Sequence, residues 1–370
     1  MRRQTQILSP SKGFQRRPPS VGPMTRLLVT GGAGFIGSNF TRRAVGQGHD
    51  VVLLDKLTYA GNKENLRDLL DAKKIEFVKG DVCDRGLVER LAKQAEAVVH
   101  FAAETHVDRS ILEAGEFVQT DVVGTFSVLE ACRKAEVSRV VHISTDEVYG
   151  EAEGGPCRED APLMPKSPYA ASKAGADRLA FSYFATYGLP VVISRCTNNY
   201  GPYQHPEKLI PLFVTNALES KPLPVYGSGK NTRDWIHVDD HCAALDRLLE
   251  ANGVEGEVFN IGASEEHSVN EIAAAILKTV GKPKSLMKTV ADRPGHVRRH
   301  AVDTTKIRAK LHWKPSRSFA DGLKETVHWY REHEAWWKAI KSRDFREYYE
   351  IPNRGLSKAS APSGKSGGGS

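Results

Sequence analysis

The chain has 370 residues, 40% of them hydrophobic, and can bury a substantial core as two domains or as one large α/β unit. Its net charge of +7 comes from the ends, because residues 1–23 carry +5 and residues 354–370 carry +3, which leaves about −1 for residues 24–353. A near-neutral body argues against a nucleic-acid-binding face, although a local basic pocket for a diphosphate remains open.

The cysteines and the apolar runs indicate the cellular compartment in which the protein is expected. Five cysteines lie far apart, without a C-x-x-C pair or a histidine spacing that would indicate a metal site: Cys83, Cys132, Cys157, Cys196 and Cys242. Reduced, partly buried thiols are favoured, which fits a cytoplasmic protein. No apolar run approaches the roughly 18 residues of a membrane span, so we expect no membrane partner.

The two ends are predicted to lie outside the folded body. Residues 1–23 are arginine-rich and acid-poor and lack the apolar centre of a secretory signal. A disordered basic extension is favoured over an organellar transit peptide, with the folded domain beginning at Met24. Residues 354–370 end in Ser-Gly-Lys-Ser-Gly-Gly-Gly-Ser, which is typical of a flexible tail.

From Met24 onwards, short apolar runs alternate with helical periods, a pattern typical of a parallel sheet wound with helices. The pattern predicts strands at Arg26–Thr30, Asp50–Asp55, Ile75–Lys79, Ala97–Phe101, Arg139–Ser144 and Val191–Arg195, and helices that begin near Phe35, Arg85, Glu116 and Pro168. We therefore predict a doubly wound Rossmann-type α/β domain over 24–195 and a smaller C-terminal α/β substrate-binding domain over 196–353. Residues near 257–262 are expected to return a strand to the first sheet.

A glycine-rich loop follows the first predicted strand and opens the first helix. Gly31 suits a tight turn, Gly34 allows the backbone to approach a pyrophosphate, and Gly37 allows close packing of helix and strand. Asp55 ends the second strand, where a carboxylate can bind ribose hydroxyls and repel a 2′-phosphate, so NAD is favoured over NADP. Asp81, at the end of the third strand, could reach the adenine or cap a helix.

Further along, the sequence combines a tyrosine–lysine pair with two adjacent acids. Tyr169 and Lys173 are four residues apart and share one face of a helix, which suits a phenol acting as a base for hydroxyl oxidation. Asp146 and Glu147 follow Thr145 at the end of the fifth strand. Two adjacent acids are usually a solvated turn, but the end of a sheet strand favours a functional site.

Several stretches together resemble a known family. They include TGGAGFIGSNF (30–40), HFAAETHVDRS (100–110), STDEVYG (144–150), YAASKAGAD (169–177), RCTNNYGPYQHPEKLIPLF (195–213) and GSGKNTRDWIHVDDH (227–241). The chain resembles the extended short-chain dehydrogenases/reductases and, among these, closely resembles the dTDP-glucose 4,6-dehydratases. Sugar-nucleotide epimerases and decarboxylases share the glycine loop and the tyrosine–lysine pair but usually lack the Asp-Glu dyad.

The resemblance implies a division of roles in an NAD-dependent dehydration. Tyr169 would take the O4 proton of the sugar while the C4 hydride passes to NAD, and Lys173 would bind the nicotinamide ribose and lower the tyrosine pKa. Glu147 would remove the C5 proton, and Asp146 would protonate the departing C6 hydroxyl. Thr145 would donate a hydrogen bond to O4.

The resemblance also implies the remaining ligand contacts. The cofactor residues would be Gly31, Gly34, Phe35, Ile36, Gly37, Asp55, Lys56, Thr58, Asp81, Val82, Ala102, Ala103, Thr120, Tyr169, Lys173 and Asn199. The substrate residues would be Thr105, Thr145, Asn198, Lys208, Leu209, Pro224, Tyr226, Arg233, Arg293 and His296. A homodimer through helices near 116–134 and 168–187 is expected on the same basis.

Some features depart from the family pattern or leave alternatives open. Val297 and His300 stand where the family has Asp and Tyr, which puts local pocket contacts in question. Residues 329–337 form an aromatic, amphipathic stretch that is expected to be a packing helix. A UDP-sugar dehydratase, an epimerase or a decarboxylase is the alternative within this fold, and a non-catalytic NAD-binding regulator is the alternative outside it.

Overall fold

The computed structural model describes residues 24–292 and 296–342. The predicted basic extension, the flexible tail and Arg293 lie outside the described residues. The strands are β1 (Arg26–Thr30), β2 (Asp50–Asp55), β3 (Ile75–Lys79), β4 (Ala97–His100), β5 (Arg139–Thr145), β6 (Val191–Cys196), β7 (Asn198–Tyr200), β8 (Leu223–Tyr226), β9 (Thr232–His237), β10 (Val258–Ile261), β11 (Glu266–Ser268), β12 (Met287–Val290) and β13 (Arg299–His300).

Seven parallel strands form the main sheet, in the order β10-β6-β5-β4-β1-β2-β3. The central strands β1, β4, β5 and β6 are almost fully buried, because helices cover both faces of the sheet. The predicted doubly wound Rossmann-type sheet is thus confirmed. β10 adds the edge strand next to β6 at the position expected for a returning segment.

The helices are α1 (Phe35–Gly46), α2 (Arg67–Asp71), α3 (Arg85–Ala92), α4 (Val107–Leu112), α5 (Ala114–Phe117), α6 (Thr125–Lys134), α7 (Pro168–Tyr187), α8 (Leu209–Leu218), α9 (Val238–Glu250), α10 (Val269–Val280), α11 (Thr305–Leu311) and α12 (Phe319–Glu332). None of those within the described residues has the length and apolar character that a membrane crossing needs. Helices α3 and α7 begin where the sequence predicted, and each has an N-terminal cap. Asp84 caps α3, and Ser167 caps α7 ahead of Pro168.

The helix predicted to begin near Glu116 is less regular than expected. α5 is followed by a π-helical segment over Val118–Gly124 and then by α6. The wider turn carries Asp121, which is 1% exposed and accepts hydrogen bonds from the Ser172 hydroxyl at 2.6 Å and the Glu104 amide at 2.8 Å. π-helical turns of this kind occur frequently at functional sites.

The second half of the chain divides its residues between two cores. α9 packs on α1 and the main sheet, and its Cys242 and Leu245 belong to the same hydrophobic cluster as Leu27 and Val99. A separate cluster joins α8, α10 and α12 with β8 and β9, including Phe213 and Tyr330. The smaller sheets, β11-β9-β13 with β7 beside β9, and β12-β8, flank this second core. The domain boundaries at 195 and 353 stay predictions.

Candidate active site

A cavity of about 770 Å³ lies at the carboxyl ends of the parallel strands, between the main sheet and the smaller core. Every predicted catalytic residue lines it: Thr145, Asp146, Glu147, Tyr169 and Lys173. So do the other predicted cofactor residues: Gly31, Gly34, Phe35, Ile36, Gly37, Asp55, Lys56, Thr58, Asp81, Val82, Ala102, Ala103, Thr120 and Asn199. The predicted substrate residues Thr105, Asn198, Lys208, Leu209, Pro224, Tyr226, Arg233 and His296 complete the lining. The roles assigned to them from sequence stay predictions.

The glycine loop has the backbone geometry that a dinucleotide site needs. Gly31 has φ +69°, and a Cβ there would lie 2.6 Å from the Ala102 amide nitrogen. A Cβ on Gly37 would lie 2.3 Å from the Gly31 carbonyl oxygen, so any larger residue would separate the helix from the strand. Gly34 caps α1 without a side-chain acceptor, which leaves the amides of the first turn available to an anion.

Asp55 is held rigidly beside this loop. Its carboxylate accepts hydrogen bonds from the Ala33 amide at 2.9 Å and the Leu57 amide at 2.7 Å. Burial raises the pKa of Asp55, and these two amides oppose the rise. A positioned carboxylate with little exposure fits the ribose hydroxyls of NAD and is unfavourable for a 2′-phosphate.

The neighbouring lysine is engaged by another carboxylate at this end of the cavity. Lys56 Nζ lies 2.8 Å from Asp81 Oδ2, and Asp81 Oδ1 also accepts the Cys83 amide at 2.9 Å. The hydrogen bond that Lys56 donates to Asp81 raises the pKa of Lys56. Burial alone would raise the pKa of Asp81, but Lys56 and the Cys83 amide lower it. The cation adjacent to Asp55 is thus turned towards the third strand.

The two acids after β5 differ in environment. Asp146 is 3% exposed, and its Oδ2 makes no hydrogen bond to the described residues, whereas Oδ1 accepts the Thr145 hydroxyl at 3.3 Å. Burial raises the pKa of Asp146 well above its usual value, and the charge of Glu147 raises it further. Glu147 is more accessible than its neighbour. Asp146 is therefore the carboxyl that favours its protonated form, which suits an acid, while Glu147 stands beside it in a more accessible position.

Tyr169 and Lys173 lie on α7 and line the same cavity as the acid pair. Lys173 is 6% exposed and donates to the Ile143 carbonyl at 2.6 Å, and burial lowers its pKa while the Asp121 charge opposes that. Burial and Glu147 hold the pKa of Tyr169 well above its usual value, with a hydrogen bond between Tyr169 and Thr145 opposing them. The net direction is opposite to the lowering expected from Lys173, so the role of Tyr169 as a base, which needs the phenolate, stays a prediction.

The predicted substrate cations lie close to the acids. Lys208 Nζ donates to the Thr105 carbonyl, and its pKa is lowered by burial against the charges of Glu207 and Glu147. Arg233 donates to the carbonyls of Thr232 at 2.7 Å and Val297 at 2.9 Å. The guanidinium thereby contacts the segment that follows residues 293–295, where the predicted Arg293 falls.

Sequence reasoning missed some residues that the fold brings into the cavity. Glu207, whose side chain is 3% exposed, lies 3.7 Å from the Arg109 guanidinium and 4.0 Å from Lys208 Nζ. Trp235 also lines the cavity, and its Nε1 has no partner among the described residues. Glu207 lies next to Lys208 in the stretch 195–213, and Trp235 lies near Arg233 in the stretch 227–241. Their positions in these two family-like stretches were the available signal.

Fold and site together define an extended short-chain dehydrogenase/reductase that binds NAD and carries an added acid pair. Residues 28–326 match the family described as GDP-mannose 4,6 dehydratase. A dTDP-glucose 4,6-dehydratase of Streptomyces niveus is 51% identical over 86% of this chain and 96% of its own length.

Solved structures of dTDP-glucose 4,6-dehydratases are also similar to this chain. A dTDP-glucose 4,6-dehydratase from Streptomyces venezuelae with NAD bound has 51% identity and a TM-score of 0.83 over 85% of this chain and all of its own. One from Bacillus anthracis in complex with NAD has 45% identity and a TM-score of 0.80 over 86% of this chain and all of its own. The chain belongs to the NAD-dependent nucleotide-sugar 4,6-dehydratase family that includes the dTDP-glucose 4,6-dehydratases.

Proposed function

We propose that the protein converts dTDP-glucose to dTDP-4-keto-6-deoxyglucose. One observation carries the proposal: a buried carboxyl and a more accessible carboxylate, Asp146 and Glu147, face the same cavity as the Tyr169–Lys173 pair. Oxidation of a sugar hydroxyl needs only the tyrosine, the lysine and NAD. Removal of water needs a further base and a further acid, and the acid pair provides both.

The residues divide the reaction into proton movements at named atoms. Bound NAD supplies the redox chemistry, accepting hydride from C4 and returning it to C6. Tyr169 takes the O4 proton during oxidation, and the resulting ketone acidifies the C5 proton. Glu147 removes that proton, Asp146 protonates the C6 oxygen, and the C6–O bond breaks to release water. Glu147 would return its proton to C5 as hydride returns to C6, and transfer of the O4 proton from Tyr169 to solvent would balance the reprotonation of Asp146 from solvent. Bound NAD would then end in the oxidised form in which it began.

The substrate side supports a nucleoside diphosphate. Lys208 and Arg233 supply positive charge beside the acids, and Asn198 Oδ1 has no partner among the described residues. Tyr226 and Pro224 lie together on β8 at the other end of the lining, where an apolar face suits a base. Thymidine is proposed because the similar proteins reported above are dTDP-glucose enzymes.

The experiment is incubation of the purified protein with dTDP-glucose and, separately, with UDP-glucose, followed by mass spectrometry of the products. We expect loss of one water from dTDP-glucose and slower loss from UDP-glucose. A product of unchanged mass with altered chromatographic retention would indicate an epimerase, and loss of carbon dioxide from UDP-glucuronic acid, incubated in parallel, would indicate a decarboxylase. Bound NAD without turnover of any nucleotide sugar would indicate a non-catalytic regulator.

The proposal includes a homodimer in the cytosol. Large apolar side chains are exposed on the predicted dimer helices: Val118 is 51%, Phe181 39% and Tyr187 47% exposed. The five cysteines are free thiols, which suits a reducing compartment. Light scattering should give twice the chain mass, and Phe181→Glu should give a monomer. Met164→Glu is the control, because Met164 is 65% exposed but lies outside those helices.

A further inference from the structure

The aromatic stretch 329–337 does not line the cavity. It is connected by hydrogen bonds, through other residues, to two separate parts of the cavity lining. It comprises the end of α12 and the beginning of a helical segment over 334–342. Trp329, Trp336 and Tyr203 form a cluster, with ring centroids of Tyr203 4.8 Å from Trp329 and 5.9 Å from Trp336. The stretch therefore covers the outside of the loop that leads from β7 to α8.

One hydrogen-bonded chain leads from this stretch to the glycine loop. Trp336 Nε1 donates to Asn65 Oδ1 at 3.0 Å across 271 residues of sequence. Asn65 is 2% exposed, and its Nδ2 donates to the Ala33 carbonyl at 3.0 Å. The Ala33 amide then donates to Asp55 at 2.9 Å. Ala33 is thus fixed at its carbonyl, by Asn65 together with the Asn62 amide at 3.0 Å, and at its N–H by the predicted ribose carboxylate.

A second chain leads to the other end of the cofactor cavity. The Tyr330 hydroxyl, buried on α12, donates to the Gln204 carbonyl. Gln204 Nε2 donates to the Asn199 carbonyl at 2.8 Å, and Asn199 Oδ1 is 2.9 Å from His241 Nδ1. Asn199 is a predicted cofactor residue on β7. The same stretch therefore fixes the backbone at two separated points of the lining.

Cation and ring contacts connect the two chains of hydrogen bonds. The Arg42 guanidinium lies 4.9 Å from the centre of the Tyr203 ring and donates to the Asn65 carbonyl at 2.5 Å. Arg42 also makes a two-pronged pair with Asp68 at 2.6 Å. Because Arg42 belongs to α1, the helix that opens at the glycine loop, its contacts join this helix to the aromatic cluster.

We infer that Trp336 and Asn65 are positioning residues for NAD: they hold the Ala33 carbonyl, and through residue Ala33 the glycine loop and Asp55, in the conformation that binds the dinucleotide. The inference rests on NAD binding and not on the identity of the sugar substrate. A loop held in its bound conformation loses less conformational freedom when the cofactor arrives, so its release raises the dissociation rate.

The test is Trp336→Phe, which removes the indole N–H and keeps an aromatic ring. The dissociation rate of NAD is measured on the holoenzyme by exchange with isotopically labelled NAD. Because the variant removes the donor to a buried acceptor, we expect NAD to dissociate about tenfold faster. At saturating NAD we expect kcat to change less than about twofold, because no reacting group contacts Trp336.

Trp337→Phe is the matched control. The indole of Trp337 is fully buried and donates to the Tyr330 carbonyl at 2.7 Å, whereas Tyr330 reaches Gln204 through its hydroxyl. The same chemical change therefore costs at least as much folding stability without removing the Asn65 or the Gln204 contact. We expect a lower Tm in this variant with NAD exchange close to that of the unaltered protein. Equal acceleration of exchange in both variants would mean that general destabilisation is responsible and would overturn the inference.

Asn65→Ala supplies the second test. Its effect on NAD exchange should match that of Trp336→Phe, and the double variant should exchange little faster than either single one, since both interrupt one chain. Fully additive effects, or an unchanged rate in Trp336→Phe, would refute the positioning role. Failure to dehydrate dTDP-glucose would instead refute the proposed function, because NAD exchange is measured without any sugar.

Discussion

Asparagine in place of Asp146 should separate water loss from sugar oxidation. The carboxyl is 3% exposed, burial and Glu147 raise its pKa, and its Oδ2 has no partner among the described residues. An amide of the same shape fits this space but cannot protonate a leaving hydroxyl. A positioned general acid typically contributes about 10²- to 10⁴-fold in rate, equivalent to ~3–5 kcal/mol of activation free energy.

The assay follows both halves of the reaction in a single turnover with dTDP-glucose. NADH absorbance reports oxidation at C4, and rapid-quench mass spectrometry reports loss of water. In Asp146→Asn we expect NADH to form at close to the normal rate and to persist, while water loss slows by about 10³-fold. Equal slowing of the two signals would refute the assignment of Asp146 as the acid for elimination.

The raised pKa of Asp146 also predicts a pH dependence of stability. A carboxyl whose pKa is higher in the folded state binds its proton more tightly there than in the unfolded chain, where the pKa is about 3.9. Its unfavourable contribution therefore appears as the pH rises above that value towards the folded pKa. Asparagine does not titrate, so the Tm of Asp146→Asn relative to the unaltered protein should increase with pH. A difference independent of pH would contradict the raised pKa.

Three further changes test other parts of the cavity and its support. Glu147→Gln should abolish exchange of the C5 proton with deuterated solvent, and normal exchange would show that another group is the base. Asp81→Asn should release Lys56 from its 2.8 Å contact and lower the ratio of NADP to NAD dissociation constants about tenfold, with Lys56→Met as the reversing control. Asp177→Asn should lower the free energy of unfolding in urea by about 3–5 kcal/mol at neutral pH, because the buried Arg195 then loses its carboxylate and keeps only neutral partners such as the Tyr149 hydroxyl. Burial alone would raise the pKa of Asp177, but Arg195 lowers it to about 2, so the pair stabilises above the unfolded pKa of about 3.9. The difference between variant and unaltered protein should therefore shrink as the pH falls from there towards 2, and a constant difference would count against this pair.

Sequence alone determined the features that depend on neighbouring residues. The first three strands have the predicted bounds, and β4, β5 and β6 differ by one residue at their carboxyl ends, since apolar runs and turn residues specify strands locally. Gly31 and Gly37 were assigned from spacing because their backbone and contact requirements arise within one strand–loop–helix unit. The acid pair was likewise visible as Asp146-Glu147 after a strand.

Only the tertiary structure decided what these residues experience. Whether Asp146 keeps its proton depends on burial and on Glu147, and whether Lys56 faces Asp55 or Asp81 depends on the pairing of β2 with β3. The contact between Trp336 and Asn65 joins positions 271 residues apart, for which no local pattern exists. Desolvation and long-range hydrogen bonding are properties of packing, so the sequence supplied the chemical groups and the fold set their charge states and their partners.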